Sequence, residues 1–218
     1  MCFYLKRYEI ADLNGELLLK EVRISDLKKK TEILVIDDDS FTYLETLKRC
    51  EYRIDYRADI QSLNDVAEYD IILCDVRGVG KFLDSDFQGA FLVKQIREKY
   101  PNKIIIAYTA SNYDPKFSEF LAFADETVVK GTSLEDWDGL LKEKLHELVD
   151  PVKQWQKTRS ALLQSGVSIG MVAKYESDFV KAVKKDKYES LKTIYEKSKT
   201  QGKEIFISLL KLIIRIAK

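Results

Sequence analysis

From residue 31 onward, short β-rich apolar runs alternate with stretches of helical spacing. The runs at 33–36, 53–57, 71–74, 103–108 and 127–129 read as strands, because they are rich in Ile, Val and Tyr. Between and after them, residues 40–50, 60–68, 88–100, 115–124 and 134–149 read as helices. Trp137, Leu140, Leu141, Leu145 and Leu148 recur on one helical face, and Tyr100-Pro101 stops the helix before it. Strands that alternate with helices predict an α/β fold: a doubly wound parallel sheet covered on both faces, with right-handed crossovers.

The flanks follow other patterns. In residues 1–30, Asn14-Gly15 sits between two apolar runs and reads as the turn of a small β-hairpin. Residues 150–218 carry no strand pattern. Their runs near 151–164, 168–184, 187–199 and 203–217 read as an α-helical extension, for output or dimerisation. In the last of these Glu204, Ser208, Lys211, Arg215 and Lys218 fall on one narrow stripe and the rest is apolar. Such a helix needs cover. A bundle within the extension or with a second copy is the favoured home, and a membrane surface is the second. The expected division is therefore 1–30, 31–149 and 150–218.

Charge sharpens that division. The 218 residues hold 36 basic and 36 acidic side chains, but residues 31–149 hold 14 and 24, and residues 150–218 hold 15 and 7. Cys2, Cys50 and Cys74 are widely spaced and odd in number, which fits a reducing, cytoplasmic setting better than a disulfide framework. His146 is the single histidine, so a His-ligated metal site is excluded. The early charges of MCFYLKRYEI do not suit a signal peptide. No apolar run approaches the roughly 20 residues of a bilayer span.

The chemistry lies where strands end. The first strand runs straight into Asp37, Asp38 and Asp39, the third ends at Asp75, the fourth at Thr109 and the fifth at Lys130. In an open parallel sheet these ends share one edge, the usual place for a ligand. Adjacent carboxylates repel, and a hard cation held by oxygen ligands offsets that repulsion.

In order and spacing these residues resemble the receiver domain of two-component response regulators, over about residues 31–149. The resemblance implies a flavodoxin-like five-stranded sheet of order 2-1-3-4-5. It implies Mg²⁺ held by Asp37, Asp38, Asp75 and the backbone carbonyl of Arg77. It also implies Asp75 as phosphoacceptor, with Thr109 and Lys130 contacting the phosphoryl oxygens. The implied partner is a histidine kinase or phosphotransfer protein. Such a protein catalyses its own phosphorylation in a phosphorelay and is not an enzyme in the ordinary sense. Asp39 is assigned to the first turn of the following helix.

Three positions depart from the family pattern. Gly131 replaces the Pro after the strand-5 Lys, and Thr127 replaces the switch aromatic. The loop containing Arg77, Lys81, Asp84 and Asp86 delays the matching Gly89. The Thr127 and Gly131 departures motivate a second reading, a phosphorylation-independent receiver-like adaptor. A third is a haloacid-dehalogenase-like phosphatase using Asp37 and Asp39. The cluster Lys181, Lys184, Lys185 and Lys187 suggests nucleic acid, but no helix-turn-helix signature accompanies it, and a solvated face is the favoured reading.

Overall fold

A computed structural model describes residues 8–13, 23–83, 86–110 and 115–217. The chain divides into two compact units. One is Val22–Leu148; the other combines Val149–Lys218 with N-terminal residues, of which 8–13 are described.

The first unit is built on strands β1 (Glu32–Ile36), β2 (Arg53–Arg57), β3 (Ile71–Asp75), β4 (Ile104–Thr109) and β5 (Glu126–Val129). They form one parallel sheet in the order β2-β1-β3-β4-β5, the flavodoxin-like arrangement. Composition explains the order. Strands β1, β3 and β4 are apolar along almost their whole length and are buried, so they occupy the centre. In β2 only Ile54 is buried and in β5 nothing is, as suits charged edges. The helices are α1 (Ile24–Lys30), α2 (Leu44–Arg49), α3 (Gln88–Lys99), α4 (Ser118–Leu121) and α5 (Leu134–Leu148). Leu34, Ile36, Ile72, Cys74, Ile105 and Ala107 make one sheet face and pack with Val93 and Ile96 of α3. The alternate residues Ile33, Val35, Leu73 and Ile106 point to the other face and are also buried.

Some helices are shorter than their patterns suggest. The one expected over 40–50 begins only at Leu44, so Asp39 lies in the preceding loop and not in a first helical turn. Phe41 of that loop packs its ring 5.5 Å from Trp137 and 5.8 Å from Tyr108, which holds the segment off helical geometry. The stretch 60–68 supplies only the 3₁₀ turn Leu63–Val66. There Ser62 and Asp65 form a capping box, and the Asp65 carboxylate accepts the N–H groups of Gln61 and Ser62. Side chains that bind nearby backbone in this way compete with a helix. Residues 115–124 break into a 3₁₀ turn, Pro115–Phe117, followed by the one-turn α4.

The second unit contains α6 (Pro151–Gln164), α7 (Ile169–Lys185), α8 (Tyr188–Lys197) and α9 (Lys203–Ala217). Asp150 caps α6 through the N–H groups of Val152 and Lys153, with Pro151 just inside the start. The core is aromatic: Trp155 stacks on Phe179 at 5.7 Å, and Phe206 lies 4.7 Å from Tyr175 and 4.9 Å from Tyr195. Phe206, Leu209, Leu210 and Ile213 are buried there, so the apolar face of α9 finds its cover within this unit. The 3₁₀ turn Ile10–Leu13 joins the same core through Leu13. Glu176 receives the Ile10 N–H on one oxygen and the Trp155 indole N–H on the other. The hairpin turn expected at Asn14-Gly15 lies outside the described residues. Among the described residues no helix is long and apolar enough to cross a membrane.

Candidate functional site

Parallel pairing brings the strand ends together. Ile36 pairs with Cys74 and Asp75 with Tyr108, so Asp37, Asp75 and Tyr108 lie side by side at the carboxyl edge of the sheet. Asp37 and Asp75 are 1% and 4% exposed, whereas Asp38 faces solvent. One carboxylate oxygen from each of Asp37, Asp38 and Asp75 lies within 4.8 Å of the others. Three hard oxygen donors this close fit a small divalent cation.

Lys130, just past β5, reaches over this group. Its Nζ is 2.7 Å from Asp75 Oδ2 and 3.3 Å from Asp37 Oδ1. The Thr109 carbonyl accepts the Lys130 backbone N–H at 2.8 Å, which ties the ends of β4 and β5 together. The Arg77 N–H donates to Asp75 Oδ1 at 3.2 Å. Lys81 Nζ stands 3.9 Å from Asp38 Oδ2, a longer and more exposed pair. Three carboxylates therefore face two ammonium groups. Burial pushes the Asp75 carboxyl up from its ordinary value, and Lys130 and the Arg77 N–H only partly oppose it. For Lys130, burial pulls down, but Asp75 and Asp37 outweigh it and the ammonium is held above its ordinary value.

Two glycines allow the close fit. Gly78 has φ +77°, and a Cβ there would come within 2.1 Å of Asp38 Oδ2. A Cβ on Gly89 would come within 1.9 Å of the Asp75 carbonyl oxygen, so the start of α3 packs backbone against the end of β3. Side chains hold backbone N–H groups of the loop after Asp75. Asp59 accepts the N–H groups of Gly80 and Lys81, and Gln88 accepts that of Gly78. Gln88 itself is held at φ 48°, a strained conformation beside the site.

The sequence reading missed Tyr108, Tyr56 and Asp59. Tyr108 donates its hydroxyl to Asp37 Oδ2 at 2.9 Å, and Tyr56 donates to the carbonyls of Asp37 and Asp39. A tyrosine inside the aliphatic run IIIAYT was the available signal for Tyr108. Asp59 carried none, because its role depends on a loop remote in sequence. Asp39 stays outside the cluster: its carboxylate accepts the Ser40 N–H, and its own N–H donates to Asp37 Oδ1. Thr127 is exposed on β5, and His146 is exposed on α5.

No protein-family model matches the chain. No curated protein matches it either. Among solved structures, it is similar to a CheY-like receiver domain protein from Methanospirillum hungatei, at 23% identity and TM-score 0.43, over 54% of this chain and 95% of that one. It is similar to a two-component response regulator from Clostridium difficile, at 25% identity and TM-score 0.44, over 53% of this chain and 95% of that one. A third is a response regulator from Thermotoga maritima in complex with Mg²⁺ and beryllium fluoride, at 23% identity and TM-score 0.41, over 53% of this chain and 98% of that one. By its strand order and the residues that end its strands, the sheet unit of this chain resembles the receiver domain of two-component response regulators.

Proposed function

We propose that this protein is a receiver that accepts a phosphoryl group on Asp75 in a Mg²⁺-dependent phosphorelay. The observation that carries the reading is the Lys130 ammonium, seated between the buried carboxylates of Asp75 and Asp37, with the exposed Asp38 completing the cluster. Asp75 is the nucleophile. Its carboxylate oxygen attacks the phosphorus of a phosphohistidine donor, an O–P bond forms, the N–P bond breaks, and its electron pair returns to the donor imidazole. Lys130 and the Thr109 hydroxyl stabilise charge that builds on the phosphoryl oxygens. Asp37, Asp38, Asp75 and the Arg77 backbone carbonyl are the proposed ligands of Mg²⁺, which when bound supplies charge neutralisation at the same oxygens.

The donor proposed is a histidine kinase or phosphotransfer protein in the cytoplasm, and the free thiols Cys50 and Cys74 suit that compartment. Output is assigned to the helical unit, through a protein partner or a second copy. The phosphatase reading is weaker, because Asp39 is committed to the loop backbone and does not face Asp37 as a second acid.

The test is incubation with acetyl phosphate and Mg²⁺, read by intact mass. The wild-type chain should gain one phosphoryl group, and chelation of the metal should prevent it. Asp75→Asn should gain none. Lys130→Ala should fold and label at least tenfold more slowly, as expected for loss of a charged transition-state contact. Undiminished labelling of Asp75→Asn would refute the assignment.

A further inference from the structure

Tyr108 is an unusual resident of a central strand. It is 1% exposed in β4, beside Asp75 in register. Its hydroxyl donates to Asp37 Oδ2, while Asp37 Oδ1 receives the Asp39 N–H and the Lys130 ammonium. A carboxylate with donors on both oxygens has its plane set by them. The phenol is the donor of this pair, because an ionised carboxylate only accepts. The ring packs among aromatic neighbours. Its centroid is 5.8 Å from that of Phe41 and 6.0 Å from that of Trp137, and the Lys130 ammonium sits 5.6 Å from it. A cavity of about 50 Å³, lined in part by Asp37, Phe41, Tyr43, Tyr108, Lys130 and Trp137, lies along this cluster.

We propose that Tyr108 is a positioning residue for Asp37 and couples occupancy of the carboxylate site to α5 through Trp137. The proposal rests on the metal-binding part of the function proposed above. The Tyr108 hydroxyl orients the Asp37 carboxylate for the incoming cation. Neutralisation of that carboxylate weakens its pull on the hydroxyl. The ring then shifts into the cavity, and Trp137 on α5 moves with it.

The experiment uses the full chain carrying Trp155→Phe, so that Trp137 is its single tryptophan. Mg²⁺ is titrated by calorimetry and, separately, by Trp137 emission. The parent should bind Mg²⁺ with a change in emission. Tyr108→Phe keeps the ring and loses the donor. It should bind Mg²⁺ about tenfold more weakly, the low end of what outer-shell partners of metal ligands contribute. At saturating Mg²⁺ its emission change should be lost. An unchanged affinity overturns the proposal, as does an emission change that survives at saturation. A merely structural Tyr108 would lower the melting temperature and leave Mg²⁺ affinity alone. If Tyr108→Phe fails to fold, Trp137→Leu takes its place. It retains the hydroxyl but removes the wall behind the ring, so calorimetric affinity should fall, and no fall overturns the proposal. A parent chain that takes up no Mg²⁺ overturns the metal site itself, an outcome distinct from a Tyr108→Phe chain that matches its parent.

Discussion

Lys103 shows how a single residue carries both fold and titration. It is 9% exposed, just before β4, and its ammonium donates to the carbonyls of Ala67 and Tyr69. It thereby closes the end of the 3₁₀ turn that stands where a longer helix was expected. Burial pushes its pKa down from the ordinary 10.5 to about 8, with Glu68 opposing. Above pH 8 the folded state releases this proton while the unfolded chain still holds it. Stability should therefore rise with pH between about 8 and 10, by roughly 1.4 kcal/mol per pH unit at most from this group. Denaturant unfolding of wild type and Lys103→Met across pH 7–9.5 checks it. The wild type should gain stability relative to the variant as pH rises, and parallel profiles would contradict the linkage. At the carboxylate edge the same balance takes another form: burial shifts Asp75 up, and the neighbouring Asp75 and Asp37 outweigh burial to shift Lys130 up.

Among the elements, α9 depends most on its neighbours. Its sequence is apolar around most of the circumference, and it borders α6 and α8 in the helical unit. Phe206 is fully buried against Trp155, Tyr175 and Tyr195. Phe206→Ala should cost about 3–5 kcal/mol, the usual range for removing a buried aromatic ring. Chemical denaturation followed by Trp155 emission reports the loss. A cost under 1 kcal/mol would mean that the ring is not packed as described. In the sheet unit the central strands set the scaffold and the loops supply chemistry. Asp59 and Gln88 hold the loop after Asp75, and Gly89 brings α3 against the strand end.

At the scale of the molecule, the helical unit is built from both ends of the chain. Tyr8 and Ile10 donate their N–H groups to Ser177 and Glu176 of α7, and Leu13 is buried in the unit's core. Removal of residues 1–13 should lower the melting temperature of the helical unit and leave the sheet unit's transition unchanged. Loss of the buried Leu13 alone is worth about 2–5 kcal/mol. Calorimetric melting, with emission of the single-tryptophan chains Trp137→Phe and Trp155→Phe reporting the two units separately, tests this. A shift confined to the sheet unit would show that the segment belongs there. The split in charge follows the same division, with the acidic surplus in residues 31–149 and the basic surplus in 150–218.

Much of this was legible without coordinates. Short continuous apolar runs bounded by turns fit central strands, alternation with helices fits a parallel sheet, and strand ends then collect their acids at one edge. The convergence of Asp37, Asp38, Asp75 and Lys130 on one edge was readable for that reason, as were the helical runs of α6 and α9, the latter with its apolar stripe. Tertiary structure decided what depends on partners distant in the chain. It showed that Asp39 serves the loop, that helix 40–50 starts late because Phe41 packs on Trp137, and that 60–68 closes as a 3₁₀ turn beneath Lys103. It also joined Tyr108 to Asp37 and Leu13 to the C-terminal core. Hydrophobic period is a local property that residues carry with them. A hydrogen bond across 71 residues, or a buried leucine at the far end of the chain, exists only once packing has chosen the neighbours.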